Sequence, residues 1–298
     1  QKTAYEIHER LVGSEMCIRD SPRTAGVGSY LHAPTSGAII AIALSPIAGS
    51  DAKQMAIIIE SDGEDTVYPE CKPLNNPLKA DPQLIRKKIA EAGIVGLGGA
   101  LFPTAVKLNP APGIQTLIIN GVECEPDINC DNQLLQDAPD SIIRGAQIML
   151  HALKATEIII AIECDMTAAI SAMETAAETA NDMRIKVVAV PDIYPAGGEK
   201  QLIECITGLQ VPGSGIPADL GIVCQNAGTA AAVDQLINTG EPLISRMLTI
   251  TGDSVASPLN LNVRIGTPIS DLIAFSNADS PDNIVIGGPM MGVIADSA

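Results

Sequence analysis

The sequence EIIIAIE at residues 157–163 is a short apolar run with a glutamate at each end. Runs of this length that are rich in β-branched residues are typical of strands buried on both faces of a sheet. Three further runs of the same kind are QTLIIN at 115–120, IKVVAV at 185–190 and GIVCQN at 221–226. The four runs therefore predict four strands of one mostly parallel sheet.

Segments with helical spacing of apolar residues separate these strands. The predicted helices cover residues 139–154, 166–182, 198–207 and 228–239. An earlier helix is predicted with Asp81 as its N-cap, Pro82 at its first position and Gly93 just past its end. Alternating strands and helices indicate an α/β fold, which we assign to residues 76–240 as a Rossmann-like domain. Ligands of such sheets bind at the carboxyl ends of the strands.

Shorter β-type segments flank this domain on both sides. AIIAIAL at 38–44 and MAIIIE at 55–60 follow a Pro-Thr-Ser-Gly turn that resembles part of a barrel-sandwich hybrid, so residues 25–75 are assigned to a partial module of that fold. Short strand-like runs return after Glu241, together with a short helix for which Ser270 is the predicted capping residue. They resemble the soluble-ligand-binding β-grasp module, which we assign to residues 241–298.

Both ends of the chain are predicted to depart from the natural protein. Residues 4–21, AYEIHERLVGSEMCIRDS, lack the features of a signal peptide and resemble translated sequencing-adapter read-through. We therefore treat residues 1–24 as a non-native leader. The chain stops at GGPMMGVIADSA without a polar tail, so we expect it to be a fragment.

The composition excludes several classes of function. The net charge of −17 and the 2% aromatic content argue against nucleic-acid binding. The longest apolar runs have the length of strands, so no membrane span is predicted. Seven scattered cysteines without a C-x-x-C pair indicate reduced thiols in the cytosol and no zinc or iron–sulfur site. Three histidines form no Ser-His-Asp or Cys-His pattern, so no catalytic residue is assigned.

The sequence GLGGALFPTAVK at residues 96–107 contains three glycines and one of the two phenylalanines in the chain. Glycine-rich turns allow backbone N–H groups to converge on an anion, or a flat ring to lie against the chain. The loop follows a predicted helix, and its G-x-G-G spacing differs from the Rossmann fingerprint. On the residues alone, a ligand site and a tight turn without a ligand both remain possible.

Several motifs carry a resemblance to a known family. GLGGALFPTAVKL and IINGVECEPDINCD resemble the flavin-binding core of the NADH-oxidising flavoprotein subunit of respiratory complex I. Together with HAPTSG, YPAGGEKQLIECITGLQVP, QNAGTAAAV, LTITGD and GGPMMG, they more closely resemble the C subunits of the Rnf (Rsx) electron-transport complexes. The resemblance runs in order from about Leu31 to the end of the chain.

This resemblance implies an oxidoreductase subunit that binds FMN and exchanges hydride with NAD(H). It implies a peripheral position on the cytoplasmic face of the inner membrane, with the other subunits of the ion-translocating ferredoxin:NAD complex as partners. The family carries iron–sulfur clusters in a ferredoxin-like segment after GGPMMG, which this chain lacks. The flavin would perform the chemistry, while the protein would orient the two rings.

The resemblance also implies roles for individual residues. Gly96, Gly98, Gly99 and Ala100 would line the flavin, Phe102 would stack on the nicotinamide side, and Lys107 would place positive charge near a phosphate. Asn120 and Glu123 would hydrogen-bond the flavin, and Glu125 would face the NAD ribose or nicotinamide. Gly198 and Glu199 would open a helix toward an anion, and Asn226 and Thr229 would form the turn at the flavin phosphate. Without the resemblance, these residues fit exposed loop carboxylates, a solvated lysine and ordinary helix caps.

The chain departs from the family pattern at named positions. Leu101 stands where the family has a glycine, and Asp127, Cys130 and Asn132 replace other family residues. A leucine that needs positive φ would cost on the order of 1 kcal/mol and could displace a flavin. One alternative is therefore a non-catalytic scaffold or assembly subunit with a degenerate flavin loop. A biotinyl or lipoyl carrier ranks below both.

Overall fold

The computed structural model describes residues 10–11, 17–19, 28–47, 50–69, 71–110, 113–279, 281 and 283–295. The strands of this part of the chain are β1 (Arg10–Leu11), β2 (Cys17–Arg19), β3 (Tyr30–His32), β4 (Gly37–Ile47), β5 (Ser50–Ser61), β6 (Thr116–Gly121), β7 (Glu157–Glu163), β8 (Ile185–Val190), β9 (Ile222–Asn226), β10 (Ser245–Ile250), β11 (Leu259–Arg264), β12 (Ile284–Ile286) and β13 (Val293–Ala295). The helices are α1 (Pro82–Glu91), α2 (Thr104–Lys107), α3 (Cys130–Asp137), α4 (Pro139–Leu153), α5 (Thr167–Ala180), α6 (Glu199–Thr207), α7 (Ala227–Thr239) and α8 (Ile269–Phe275).

The central sheet contains the four predicted strands in the order β8-β7-β6-β9, and every neighbouring pair is parallel. Each strand begins and ends within one residue of its predicted bounds. In this register Asn120 lies beside Asn226, so the carboxyl ends of β6 and β9 meet at one edge. The prediction of an α/β fold with a mostly parallel central sheet is confirmed.

Helices cover both faces of this sheet. On one face, α1, α4, α5 and α7 pack on a large apolar core that includes Leu117, Ile119 and Ile160. On the other, α6 covers a smaller core around Ile118 and Ile159. Continuous apolar strands are required where both sides of a strand are buried, as in β6, β7 and β9.

Helices α4 and α7 approach each other closely at Gly145. A Cβ atom at this position would overlap the carbonyl oxygen of Ala230. Both α4 and α7 contribute to the large core, so this contact sets how they lie on the sheet.

Two helix N-termini are capped as predicted. The Asp81 carboxylate accepts the Gln83 backbone N–H at 2.9 Å, with Pro82 at the first helical position of α1. The Asn226 side chain accepts the Thr229 backbone N–H at 3.3 Å and caps α7. The predicted capping role of Ser270 is wrong, because α8 begins at Ile269 and Ser270 is its second residue.

Antiparallel hairpins flank the central domain: β4 pairs with β5, β10 with β11, and β12 with β13. Arg264 at the end of β11 forms a bidentate pair with Asp65, at 2.5 and 2.6 Å. Of the predicted leader, residues 10–11 and 17–19 form strands that pair with β4 and β3; the rest lies outside the described residues. Among the described helices, none has the length and apolar character needed to cross a bilayer.

Candidate functional site

The glycine loop at residues 96–102 closes on itself. The Gly96 N–H donates to the Phe102 carbonyl at 2.9 Å, and the Leu101 N–H donates to the Gly96 carbonyl at 3.2 Å. A bridge between Val95 and Pro103 closes the base of the loop. The loop is therefore a compact turn that leads directly into α2.

The outer part of this loop has left-handed backbone. Gly99 has φ +103° and Leu101 has φ +51°. Left-handed backbone costs a leucine roughly 1 kcal/mol, whereas glycine adopts it freely. The side chains of Leu101 and Phe102 are 58% and 42% exposed, so the loop presents an apolar surface to solvent.

The loop is anchored to the N-terminus of α7. The Leu97 N–H donates to the Thr229 hydroxyl at 2.9 Å, and Thr229 is fully buried. Gly98 lies against the Asn226 side chain, where an added Cβ would be 3.4 Å from the Asn226 Cβ. The Asn226 amide donates to Asp131 at 2.5 Å, which connects α7 to the start of α3.

Glu123 follows β6 and caps α3. Its Oε1 accepts from the Asp131 N–H at 3.1 Å and the Cys130 thiol at 3.1 Å, and its Oε2 accepts from the Asn132 N–H at 3.0 Å. A carboxylate at a helix N-terminus satisfies donors that the helix leaves unpaired and interacts favourably with the helix dipole. This helix was not predicted from the sequence.

Asn120, at the end of β6, holds the turn that opens α6. Its amide donates to the Gly197 carbonyl at 2.9 Å, and its Oδ1 accepts the Val122 N–H at 3.0 Å. Gly198 is the N-cap of α6 and Glu199 is the first residue of that helix. The predicted opening of a helix at these glycines is confirmed.

Lys107 and Glu199 form an ion pair between α2 and α6, with each side chain about one third exposed. The pair lies close to Cys224 of β9, whose burial raises the pKa of its thiol to about 12; Lys107 opposes this shift and Glu199 adds to it. Lys107, the cation predicted to lie near a phosphate, is therefore paired in this structure with Glu199, the acid at the predicted helix start.

Glu125 is held by the C-terminal GGPMMG segment, residues 287–292. Its two carboxylate oxygens accept the backbone N–H groups of Met290 and Met291, each at 2.9 Å. Glu125 therefore contacts a segment that is distant in the sequence.

Two carboxyl groups near Glu123 have strongly raised pKa values. Burial, followed by the charge of Glu123, raises the pKa of Asp131 to about 7, although Asn226 and Arg246 oppose the shift. Burial, followed by the charges of Asp192 and Asp165, raises the pKa of Glu163 to about 7. Asp131 is hydrogen-bonded to Asn226 and Glu163 ends β7, so both groups lie at the carboxyl edge of the sheet. Strongly shifted carboxyl pKa values are common at functional sites.

Apart from Glu125, which bonds to Met290 and Met291, the predicted site residues fall into two hydrogen-bonded groups. One joins the glycine loop, Asn226 and Thr229 to Asp131 and Glu123; the other joins Asn120 to Gly197, and Lys107 to Glu199. The pairing of Asn120 with Asn226 in the sheet brings the two groups together. Asp131 and Glu163 were not predicted as site residues. For Glu163, its position at the end of a buried strand could have indicated a place in the site.

Comparison with known proteins identifies the family. Residues 89–235 match the Nuo51 FMN-binding domain family. The C subunit of the Pseudomonas aeruginosa ion-translocating oxidoreductase complex is 42% identical over 271 residues, covering 89% of this chain and 34% of that protein. The Rhodobacter capsulatus homologue is 44% identical over 273 residues, covering 90% of this chain and 52% of that protein. The chain belongs to the family of these C subunits.

A further member of the C-subunit family comes from Acetobacterium woodii. It is the C subunit of a complex named Na⁺-translocating ferredoxin:NAD⁺ oxidoreductase, and is 40% identical over 269 residues, covering 88% of this chain and 60% of that protein. The chain thus spans 34% to 60% of the length of these three C subunits.

Solved structures have the same fold as this C-subunit homologue. The NAD⁺-reducing [NiFe]-hydrogenase in its air-oxidised state has a TM-score of 0.61 and 25% identity, covering 69% of this chain and 41% of that one. The H₂-reduced state has a TM-score of 0.58 and 22% identity, covering 72% of this chain and 43% of that one. The likeness supports the mixed α/β fold with its parallel central sheet.

Proposed function

We propose that this chain is the flavin- and NAD(H)-binding part of the C subunit of an ion-translocating ferredoxin:NAD oxidoreductase complex. It would act beside the other Rnf subunits at the cytoplasmic face of the inner membrane. The observation that carries the proposal is the convergence of separate segments at the carboxyl ends of β6 and β9. These segments lie within residues 89–235, which match an FMN-binding domain family.

The residues at this edge fit the parts of FMN. Phe102 offers an exposed apolar surface on which the nicotinamide ring of NAD(H) can stack beside the flavin. The glycine loop contributes backbone at Gly99, where even an added Cβ would meet no atom within 4 Å and a ligand can approach closely. Lys107 supplies a cation for the phosphate at the end of α2. FMN, when bound, supplies the hydride chemistry.

The protein's own contribution is positioning. Thr229 and Asn226 fix the glycine loop to the end of β9, so the loop surface is held in one place relative to the sheet. Asn120 fixes the opening of α6 in the same way. Prior orientation of two reactants lowers the barrier to transfer between them, because the entropy cost is met on binding.

Lys107 would exchange one anionic partner for another. In this structure it pairs with Glu199. A phosphate dianion can replace that carboxylate as the partner of the ammonium, which frees Glu199 to accept hydrogen bonds from ribityl or ribose hydroxyl groups. Glu125 and Phe102 remain the proposed contacts for NAD(H).

The finer domain assignments belong to the same proposal. Residues 25–75 would form part of a barrel-sandwich hybrid, residues 76–240 the flavin domain, and residues 241–298 a β-grasp domain. Iron–sulfur clusters would lie in the ferredoxin-like segment that family members carry after GGPMMG.

A second candidate function is a scaffold subunit that does not bind flavin. The left-handed φ of +51° at Leu101 favours it, because an isobutyl group projects from the loop where the family has none. The two candidates differ in one measurable property, the affinity of the chain for FMN.

Titration of the full chain with FMN distinguishes them. Quenching of flavin fluorescence at micromolar concentrations supports the flavoprotein, whereas unchanged emission supports the scaffold.

Riboflavin, which lacks the phosphate, is the control ligand for the role of Lys107. Lys107→Ala should weaken FMN binding about tenfold and leave riboflavin binding unaffected. Glu199→Gln should not weaken FMN, because it removes the carboxylate that competes for Lys107. Bleaching of bound flavin on addition of NADH tests hydride transfer.

A further inference from the structure

The GGPMMG segment at residues 287–292 contacts the α/β domain through backbone groups. The Met290 N–H donates to Glu125 Oε2 and the Met291 N–H donates to Glu125 Oε1, both at 2.9 Å. Two consecutive amides therefore bind the two oxygens of one carboxylate. Such an arrangement fixes the rotation of the carboxylate as well as its position.

Gly288 makes this contact possible. Its φ is +99°, and a Cβ atom there would overlap the Glu125 carboxylate. Both features require glycine: the backbone conformation is disfavoured for other residues, and the space for a side chain is already filled by Glu125. The segment therefore has a shape that fits around this carboxylate.

The side chains of the same segment face solvent. Met290 is 53% exposed and Met291 is 76% exposed, and the backbone amides of both residues bind the Glu125 carboxylate. Exposed methionines offer a flexible, polarizable surface that makes favourable contacts with flat rings. An apolar surface thus lies next to a fixed hydrogen-bond acceptor.

From this geometry we propose that residues 287–292 are a positioning element of the NAD(H) site. The amides orient Glu125, and the methionine side chains form an apolar wall beside it for a nicotinamide or adenine ring. The proposal rests on the proposed function and adds to it a specificity element outside the matched residues 89–235.

The acceptor capacity of a carboxylate supports this role. Two oxygens offer about four lone-pair positions, and the two amides occupy one on each oxygen. One position on each oxygen remains for a ligand. Two neighbouring hydroxyl groups, as on a ribose, can donate to both oxygens at once if the carboxylate is held in a fixed orientation.

The test compares two glycine variants of the full chain. Gly288→Ala introduces a clash with Glu125, whereas Gly266→Ala has a similar backbone, with φ +94°, and meets no atom within 4 Å. Both substitutions place alanine at a similar positive φ, so the difference between the two variants reports mainly the contact with Glu125. We expect Gly288→Ala to weaken NADH binding about tenfold relative to Gly266→Ala and to leave the Kd for FMN unchanged.

A second variant removes the side chains but keeps the amides. Met290→Ala combined with Met291→Ala replaces two exposed side chains, so the fold is retained. We expect NADH binding to weaken several-fold, FMN binding to stay the same, and the amide hydrogens of residues 290 and 291 to remain protected from exchange. Equal NADH affinity in this variant and in the unaltered chain would overturn the apolar wall.

The outcomes separate this proposal from the proposed function. If the unaltered chain binds FMN but not NADH, the NAD(H) part of the proposed function fails, and this proposal fails with it. If the unaltered chain binds NADH and both glycine variants bind it equally well, only the positioning role is overturned. Loss of FMN binding in Gly288→Ala would indicate that the substitution disturbs the whole fold. In that case the NADH affinity of the double methionine variant tests the proposal.

Discussion

The side-chain amide of Asn226 lies 2.5 Å from Oδ2 of Asp131, so the N-cap of α7 donates to a residue in the first turn of α3. This bond joins the two helix N-termini that flank the end of β6. The pKa of Asp131 is nevertheless raised to about 7, because burial and the nearby charge of Glu123 outweigh the hydrogen bond. The Asp131 carboxyl group is therefore mostly neutral below pH 7 in the folded chain.

Asp131→Asn should stabilise the chain increasingly as the pH rises. The folded pKa of about 7 lies above the usual value of 3.8, so the folded chain retains a proton between these values that the unfolded chain has lost. The stability of the unaltered chain therefore falls across this window and is constant above it. We expect the advantage of the variant to grow by at least about 1 kcal/mol between pH 4 and pH 8, measured by urea unfolding.

Asp140→Asn is the control for this experiment, because it removes an exposed negative charge in the first turn of α4. It corrects for the general effect of removing one negative charge from a chain whose net charge is −17. If Asp131→Asn and Asp140→Asn showed the same dependence on pH, the shifted titration of Asp131 would be disproved.

Thr229→Val should loosen the glycine loop. The substitution keeps the shape of a fully buried side chain but leaves the Leu97 N–H without the hydroxyl that accepts it at 2.9 Å. An unsatisfied buried donor costs about 1–3 kcal/mol of unfolding free energy. Thr229→Ser, which keeps the hydroxyl, should lose less stability. Thermal unfolding of the two variants measures the difference, and the reverse order would contradict the anchoring role.

The central sheet was predictable because its strands are short, predominantly apolar runs and most of the helices around it have a local signal. Asp81 and Pro82 mark the start of α1 and Gly93 marks its end, and the structure confirms all three. Helix α3 carries no such signal. Its N-cap Asn129 makes no side-chain capping bond, and the acceptor is Glu123, at a spacing that no capping motif uses.

The candidate site was predictable only where neighbouring residues build it. Asn226 and Thr229 cap α7 as expected, because the N-cap and the donor it receives are three residues apart. The ion pair of Lys107 with Glu199 and the contact of Glu125 with Met290 join residues 92 and 165 positions apart. Contacts at such separations depend on how the helices and hairpins pack, which periodicity does not encode.

Thiol reactivity should follow burial. Burial raises the pKa of the Cys130 and Cys224 thiols to about 12, with Glu123 adding to the shift at Cys130. Cys164 and Cys205 are exposed. Because the thiolate is the reactive form, iodoacetamide at pH 8 should modify the two exposed residues and spare the two buried ones. Peptide mass mapping gives the result, and labelling of all seven cysteines in denaturant is the control. Rapid native labelling of Cys224 would contradict the packing of β9.

Leu101→Gly should increase the affinity for FMN. The substitution relieves a left-handed backbone at φ +51° and removes an isobutyl group that is 58% exposed on the loop. The relief of about 1 kcal/mol is partly offset by the greater flexibility of glycine in the unfolded chain, so global stability should change little. Affinity should rise several-fold if the side chain obstructs the ring, as measured by quenching of flavin fluorescence.

Lys154→Gly is the matched control for Leu101→Gly, because it relieves a similar φ of +57° at the end of α4. Lys154 precedes β7 and therefore lies at the amino edge of the sheet, opposite the glycine loop. It should leave FMN affinity unchanged while relieving the same kind of strain. An equal affinity in both variants would show that Leu101 does not obstruct the ring. A rise confined to Leu101→Gly would place the ring against the outer part of the glycine loop.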